Sequence, residues 1–208
     1  MSERPDGVAS RRAAGRGAAR VLFLAVLATS AGAQEPDLSW IDHATLASGA
    51  VQVVTDRAER PLTVRVRLAT FVEAAPEMIW KVLRACELAP EYVPNVTACR
   101  SLEMVDDGNA ELFVQTVKPA FFLPSFEHVF RLDYDPYRRI DVHKVSGPIE
   151  HMEGTWWLLP QDDGKILLVY DLALDPGMPL PRFLVRATLK RDLPRLVAAV
   201  RDLAQSHR

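Results

Sequence analysis

Few side chains in this sequence stand where they could do chemistry, and His128 is the foremost of them. It interrupts an otherwise apolar alternation, Phe126, His128, Phe130, Leu132 and Tyr134, whose opposite parity is Glu127, Val129, Arg131 and Asp133. An imidazole on such a face is either a core group held by a hydrogen-bond partner or a handle that orients a ligand carbonyl or hydroxyl. In an enzyme it would be the acid/base that exchanges protons with a carbonyl-rich substrate. Tyr170, between Leu168 and Leu172, is a second handle with the same two readings. His43, His128, His143 and His151 are scattered without the spacing of metal ligands. No Gly-x-Ser-x-Gly elbow, phosphate-binding loop or dinucleotide fingerprint occurs. Two acidic pairs, Asp106-Asp107 and Asp162-Asp163, are each followed by Gly. Asp-Gly is what a tight hairpin turn requires, so these are turns and not catalytic dyads. Neither a metal nor a cofactor is expected.

The elements around these residues are legible in their periods. Ala50–Thr55 is a short first strand, and Leu62–Leu68 alternates as a half-buried antiparallel strand. Ala75-Pro76-Glu77 opens a helix whose apolar stripe is Ile79, Trp80, Val82 and Leu83. A short helical segment follows near Glu87–Tyr92 and stops before Pro94. Strands are predicted at Thr97–Val105, Ala110–Val117, Phe126–Tyr134, Arg139–Val145, Gly154–Leu159 and Lys165–Leu174. An amphipathic helix then runs from Arg182 to about Gln205, with Leu189, Leu193, Leu196, Val197, Val200 and Leu203 as its stripe. Pro194 inside it should kink or divide it. A sheet with one apolar face needs a cover, and this helix is the element long enough to supply it. The fold class is therefore α+β, a curved antiparallel sheet wrapped around a long C-terminal helix.

The N-terminus carries an address. Arg4, Arg11, Arg12, Arg16 and Arg20 precede an apolar run, Val21–Ala28, and the small-x-small step Ala31-Gly32-Ala33. That order describes a secretory signal peptide over residues 1–33, too short in its apolar run for a membrane span. Residues 34–61 are a leader with a short strand, and 62–208 form the domain. The expected location is periplasmic or secreted. The whole chain carries a net charge of −2. Without the five leader arginines and two leader acids, 20 basic and 25 acidic side chains remain, a net of −5. A mildly acidic domain has no general attraction for nucleic acid. Export permits a disulfide between Cys86 and Cys99; two buried thiols are the other reading.

Element order and residues together resemble the START-like superfamily, also called SRPBCC or the helix-grip fold, and within it the polyketide cyclase/dehydrase and coenzyme Q-binding group. The stretch Ser146-Gly147-Pro148-Ile149-Glu150-His151-Met152-Glu153-Gly154-Thr155-Trp156-Trp157 is similar to that group's Gly-Pro turn, Glu-Gly step and aromatic strand. Glu73-Ala74-Ala75-Pro76-Glu77, leading into the Trp80 helix, is similar to the family's opening. The resemblance covers about Leu62 to Ala204 and implies a cavity between sheet and helix for a lipid, quinone, sterol or polyketide.

Candidate wall residues are Phe126, His128, Phe130, Trp156 and Tyr170. Two apolar loops are candidate gates: Pro119–Pro124, with Phe121 and Phe122, and Gly177–Pro181, with Met178 and Leu180, followed by Phe183 on the helix. Phe121 and Phe122 also suit a membrane-touching tip, and the basic side of the last helix suits transient contact with anionic headgroups. The expected function is that of an exported carrier for a hydrophobic small molecule. The alternatives are a cyclase or dehydratase using His128, and an accessory partner of a redox enzyme. Oligomeric state is left open.

Overall fold

Alternating apolar residues build eight strands, and the outer parity explains why they form one sheet with a single concave side. The computed structural model describes residues 35–57, 63–119, 124–177 and 181–206. The expected signal peptide lies outside them, as do Phe121, Phe122, Met178 and Leu180. A short helix α1 (His43–Ala47) precedes strands β1 (Gln52–Arg57) and β2 (Val64–Val72). Helix α2 (Pro76–Arg84), a 3-10 turn (Cys86–Leu88) and helix α3 (Ala89–Tyr92) then carry the chain to the far edge of the sheet. There the meander begins: β3 (Val96–Val105), β4 (Ala110–Val117), β5 (Phe126–Asp135), β6 (Arg139–Ser146), β7 (His151–Pro160) and β8 (Ile166–Asp175). Helix α4 (Arg182–Ser206) ends the fold. The sheet order is β1-β2-β8-β7-β6-β5-β4-β3, and every pair is antiparallel.

Strand β5 shows how the pattern works. His128, Phe130 and Leu132 are buried while Glu127 is exposed. Phe130 and Leu132 belong to one core with Leu189, Leu193, Leu196, Val197 and Val200 of α4. Helix α4 runs unbroken through Pro194, contrary to the expected division. Proline removes one bond to the carbonyl four residues earlier. Lys190, which carries that carbonyl, is an exposed residue, so the lost bond falls on the solvent side of the helix.

The leader is more ordered than its weak period suggests. Asp42 caps α1, its carboxylate accepting from the Ala44 N–H at 3.0 Å. Leu46 packs with Ala69, Leu167 and Val169 on the convex side of β2 and β8, joined by Trp40 and Ile41. Strand β7 begins at His151, three residues before the expected Gly154, because β8 extends to Asp175 and pairs with it there. The edge strand β3 is mostly exposed and is interrupted by register shifts at Val96/Ala98 and Ser101/Glu103. Such bulges and its charged side chains discourage pairing with another sheet. Cys86 and Cys99 are joined as a disulfide, their Cα atoms 5.3 Å apart, which ties the 3-10 turn to this edge.

Candidate functional site

The concave side of the sheet is too curved to meet α4 along its whole length, and a cavity of about 590 Å³ is left between them. Phe126, His128, Phe130, Trp156 and Tyr170, expected as wall residues, all line it. They surround the space without filling it. Trp156 and Tyr170 are cross-strand partners whose rings stack at 3.9 Å and 7°. Phe113 and Phe130 meet edge to face at 5.7 Å and 88°, a favoured aromatic geometry. Leu189, Leu193 and Leu196 of α4 form the opposite wall.

One expected wall residue is corrected. Phe183 is 68% exposed and lies off the lining, while its neighbours Leu184 and Val185 take part in it. Phe183 sits in the first turn of α4, where a shift of one or two positions rotates a side chain from wall to solvent. The wall also contains residues that the sequence reading leaves out: Gln115 on β4, Tyr92 on α3 and both half-cystines. For Gln115 a signal existed, since it has the parity of Phe113 and Val117 and pairs across with His128.

The rim depends on two glycines. Gly147 has φ +108°, and a Cβ there would lie 2.7 Å from the His128 Cα, so the Ser146-Gly147-Pro148 turn can close onto β5 only with hydrogen at that place. Gly177, with φ +69°, comes as close to the Pro148 carbonyl, where a Cβ would approach to 2.5 Å. The β6–β7 turn is thus clasped between β5 and the segment leading into α4.

The polar chemistry of the cavity is sparse and neutral. Among the described residues that line it there is no Asp, Glu, Lys or Arg. Burial lowers the His128 pKa from 6.5 to about 4, so the imidazole is uncharged at neutral pH. Its Nδ1 is sealed off with no partner among the described residues. A bare lone pair is less costly to seal than an N–H. This selects the tautomer whose Nε2–H donates toward Gln115 Oε1 across 3.3 Å. The Gln115 side-chain nitrogen keeps two donors with no partner among the described residues. The Tyr170 hydroxyl likewise has none, and burial pushes its pKa up. Tyr92 donates to the Val82 carbonyl at 3.3 Å, and burial, helped by Glu87, pushes its pKa up to about 12. Among the described residues no group of three or more His, Cys, Asp or Glu could hold a metal ion.

A second polar cluster lies at the other end of the same two strands. Glu111 is 8% exposed and accepts from Ser101 Oγ at 2.5 Å, Tyr134 Oη at 2.9 Å and an Arg84 Nη at 3.2 Å. The Arg84 guanidinium also lies over the Tyr134 ring, 4.6 Å from its centroid. This cluster anchors α2 on the sheet.

Comparison with known proteins agrees with this geometry. The family model described as polyketide cyclase / dehydrase and lipid transport matches residues 72–201. A STAR-related lipid transfer protein from Xanthomonas axonopodis superposes with a TM-score of 0.65 at 19% identity, over 75% of this chain and 94% of that one. The Zhui aromatase/cyclase from Streptomyces sp. R1128 gives 0.57 at 20% identity, over 70% and 96%. Human STARD10 gives 0.60 at 13% identity, over 75% and 69%. No curated protein sequence matches the chain.

Proposed function

Because the chain belongs to the polyketide cyclase / dehydrase and lipid transport family, we propose that it is an exported carrier that holds one hydrophobic small molecule between its sheet and its last helix. The observation that carries this reading is the cavity itself, about 590 Å³ with an almost wholly apolar wall. Pockets of this size and character bury most of a small ligand's surface. Each 100 Å² of hydrocarbon moved out of water contributes about 2.5 kcal/mol. One similar solved structure is named a lipid transfer protein, which supports transport; another is named an aromatase/cyclase, which supports chemistry in the same space.

Carriage is favoured over cyclisation by the state of His128. A general acid or base works best with a pKa near the working pH, and this imidazole lies near 4 with one nitrogen sealed and the other directed at Gln115. The N-terminal arginines, the apolar run and Ala31-Gly32-Ala33 support export with cleavage after Ala33. The exposed Phe183 and Leu184, beside Arg186 and Lys190, support transient membrane contact during loading.

The test is native mass spectrometry of protein recovered from the exporting cell's periplasm or medium. The expected result is a chain beginning at Gln34 with a non-covalent small molecule attached. A protein that arrives empty and takes up no apolar probe would overturn the carrier reading, and an intact leader would overturn export.

A further inference from the structure

We infer that the occupant of the cavity is a single uncharged molecule that presents a carbonyl or similar acceptor oxygen to Gln115. This rests on the carrier reading and adds the chemical class of what is carried. Three observations lead to it. The first is size. At roughly 20 Å³ per atom in close-packed organic matter, about 590 Å³ encloses ~30 non-hydrogen atoms, fewer than a two-chain phospholipid has. The second is charge. Among the described lining residues none is ionised at neutral pH: α4 contributes Leu184, Val185, Thr188 and three leucines, β4 contributes Gln115, and β7 contributes Met152 and Trp156. The titratable groups that face the space are His128 on β5, Tyr170 on β8 and Tyr92 on α3, and all three are neutral. Cys86 and Cys99 are bonded to each other and do not titrate. A carboxylate, phosphate or ammonium placed there would have no counter-charge, which buried ions require.

The third observation is the direction of the hydrogen bonds on offer. His128 occupies the Gln115 carbonyl oxygen, and the amide N–H groups of Gln115 remain. Tyr170 adds a hydroxyl without a partner among the described residues. Asn95 and Thr188, the other polar lining residues, are exposed and belong to the rim. The inner wall offers donors and so selects an acceptor, and the flat Trp156–Tyr170 stack suits a planar or conjugated ligand. Ketones, esters and quinone-like rings have this chemistry; fatty acid anions and phosphate-bearing lipids do not.

The experiment uses three chain-matched probes and titration calorimetry on the intact folded protein: 2-undecanone, decanoate and decyltrimethylammonium. At pH 7.5 the ketone should bind at least tenfold more tightly than either ion. Ketone affinity should be flat between pH 5.5 and 7.5. Decanoate affinity should fall about tenfold per pH unit over the same range, because only its protonated fraction enters. Gln115→Leu should weaken the ketone roughly two- to tenfold and leave decanoate's slope unchanged. Gln115→Lys supplies a counter-charge, so it should tighten decanoate and flatten its slope. Ions that bind as well as the ketone, with no pH slope, overturn the inference while leaving the cavity reading intact. Equal ketone affinity in Gln115→Leu overturns the role given to Gln115. If none of the three probes binds, the cavity reading falls and this inference falls with it.

Discussion

Strands β4 and β5 carry two polar sites on one face, and the two are built on opposite principles. At one end Glu111 and Tyr134 meet Arg84 in a cluster where the buried acid has three donors. At the other, the Gln115 and His128 side chains hydrogen-bond only to each other, at 3.3 Å, and the Gln115 amide nitrogen is left facing the cavity. Phe113 and Phe130 stand between them. The paired end closes the floor of the domain, because α2 cannot leave without stripping Glu111 of its cation. The unpaired end tolerates open space because nothing there is charged. A buried ion demands a partner at once, whereas a neutral amide can wait for one.

The sharpest way to break this contrast is to remove the acid. Glu111→Ala leaves Arg84 and Tyr134 facing a hole with no acceptor. Removing one member of a buried pair costs 3–5 kcal/mol in general. The Arg84 side chain keeps 38% of its exposure, so water repairs part of the loss and about 3 kcal/mol is expected. Urea unfolding monitored by tryptophan fluorescence measures it. A loss below about 1 kcal/mol would mean that the cluster is ornamental and that apolar packing alone seats α2.

The open end should reveal itself through pH. The His128 pKa is near 4 in the folded chain against 6.5 when free. Above pH 6.5 both states are neutral and the group has no influence. As pH falls from 6.5 toward 4, the unfolded chain gains a proton that the folded chain refuses. Stability therefore drops by about 1.4 kcal/mol per pH unit, in all about 2–3 kcal/mol by pH 4.5. His128→Leu should lack this component. The check is the difference between the two proteins' unfolding free energies at pH 7.5 and 4.5, in which the titration of the shared acids cancels. Parallel curves would place His128 in contact with water or a carboxylate.

How much of this was legible in the chain differs between the two ends. The inward face of β5 is plain from Phe126 to Tyr134, and the structure places that face against α4 as expected. The proline-started α2, the meander and the long last helix follow from period and turn chemistry. Gln115 could be read from its parity with Phe113 and Val117, whereas Glu111, a carboxylate at that same parity, reads as solvent-facing until β4 is paired with β5. The partner of Glu111 is 27 residues away on a helix whose placement on the sheet no local pattern encodes. Export and the central parts of the two apolar gate loops are read only from sequence, since residues 1–34, 120–123 and 178–180 lie outside the described ones.

The smallest expected effect is also the one that most sharpens the comparison. Gln115→Leu deletes an amide that makes one long hydrogen bond and otherwise faces the cavity. Two terms oppose each other. His128 loses its acceptor, which costs about 1 kcal/mol for a bond of ordinary worth and less at 3.3 Å. The unpartnered amide donors are removed from an apolar space, which stabilises by a comparable amount. The net change should fall within about 1 kcal/mol of zero, against about 3 kcal/mol for Glu111→Ala two turns of the same pleat away. The pair of variants, unfolded side by side in urea, measures the contrast directly. If Gln115→Leu proves as damaging as Glu111→Ala, the amide is a structural tie like the acid. The open end would then be held shut by its own hydrogen bonds, with none left for a guest.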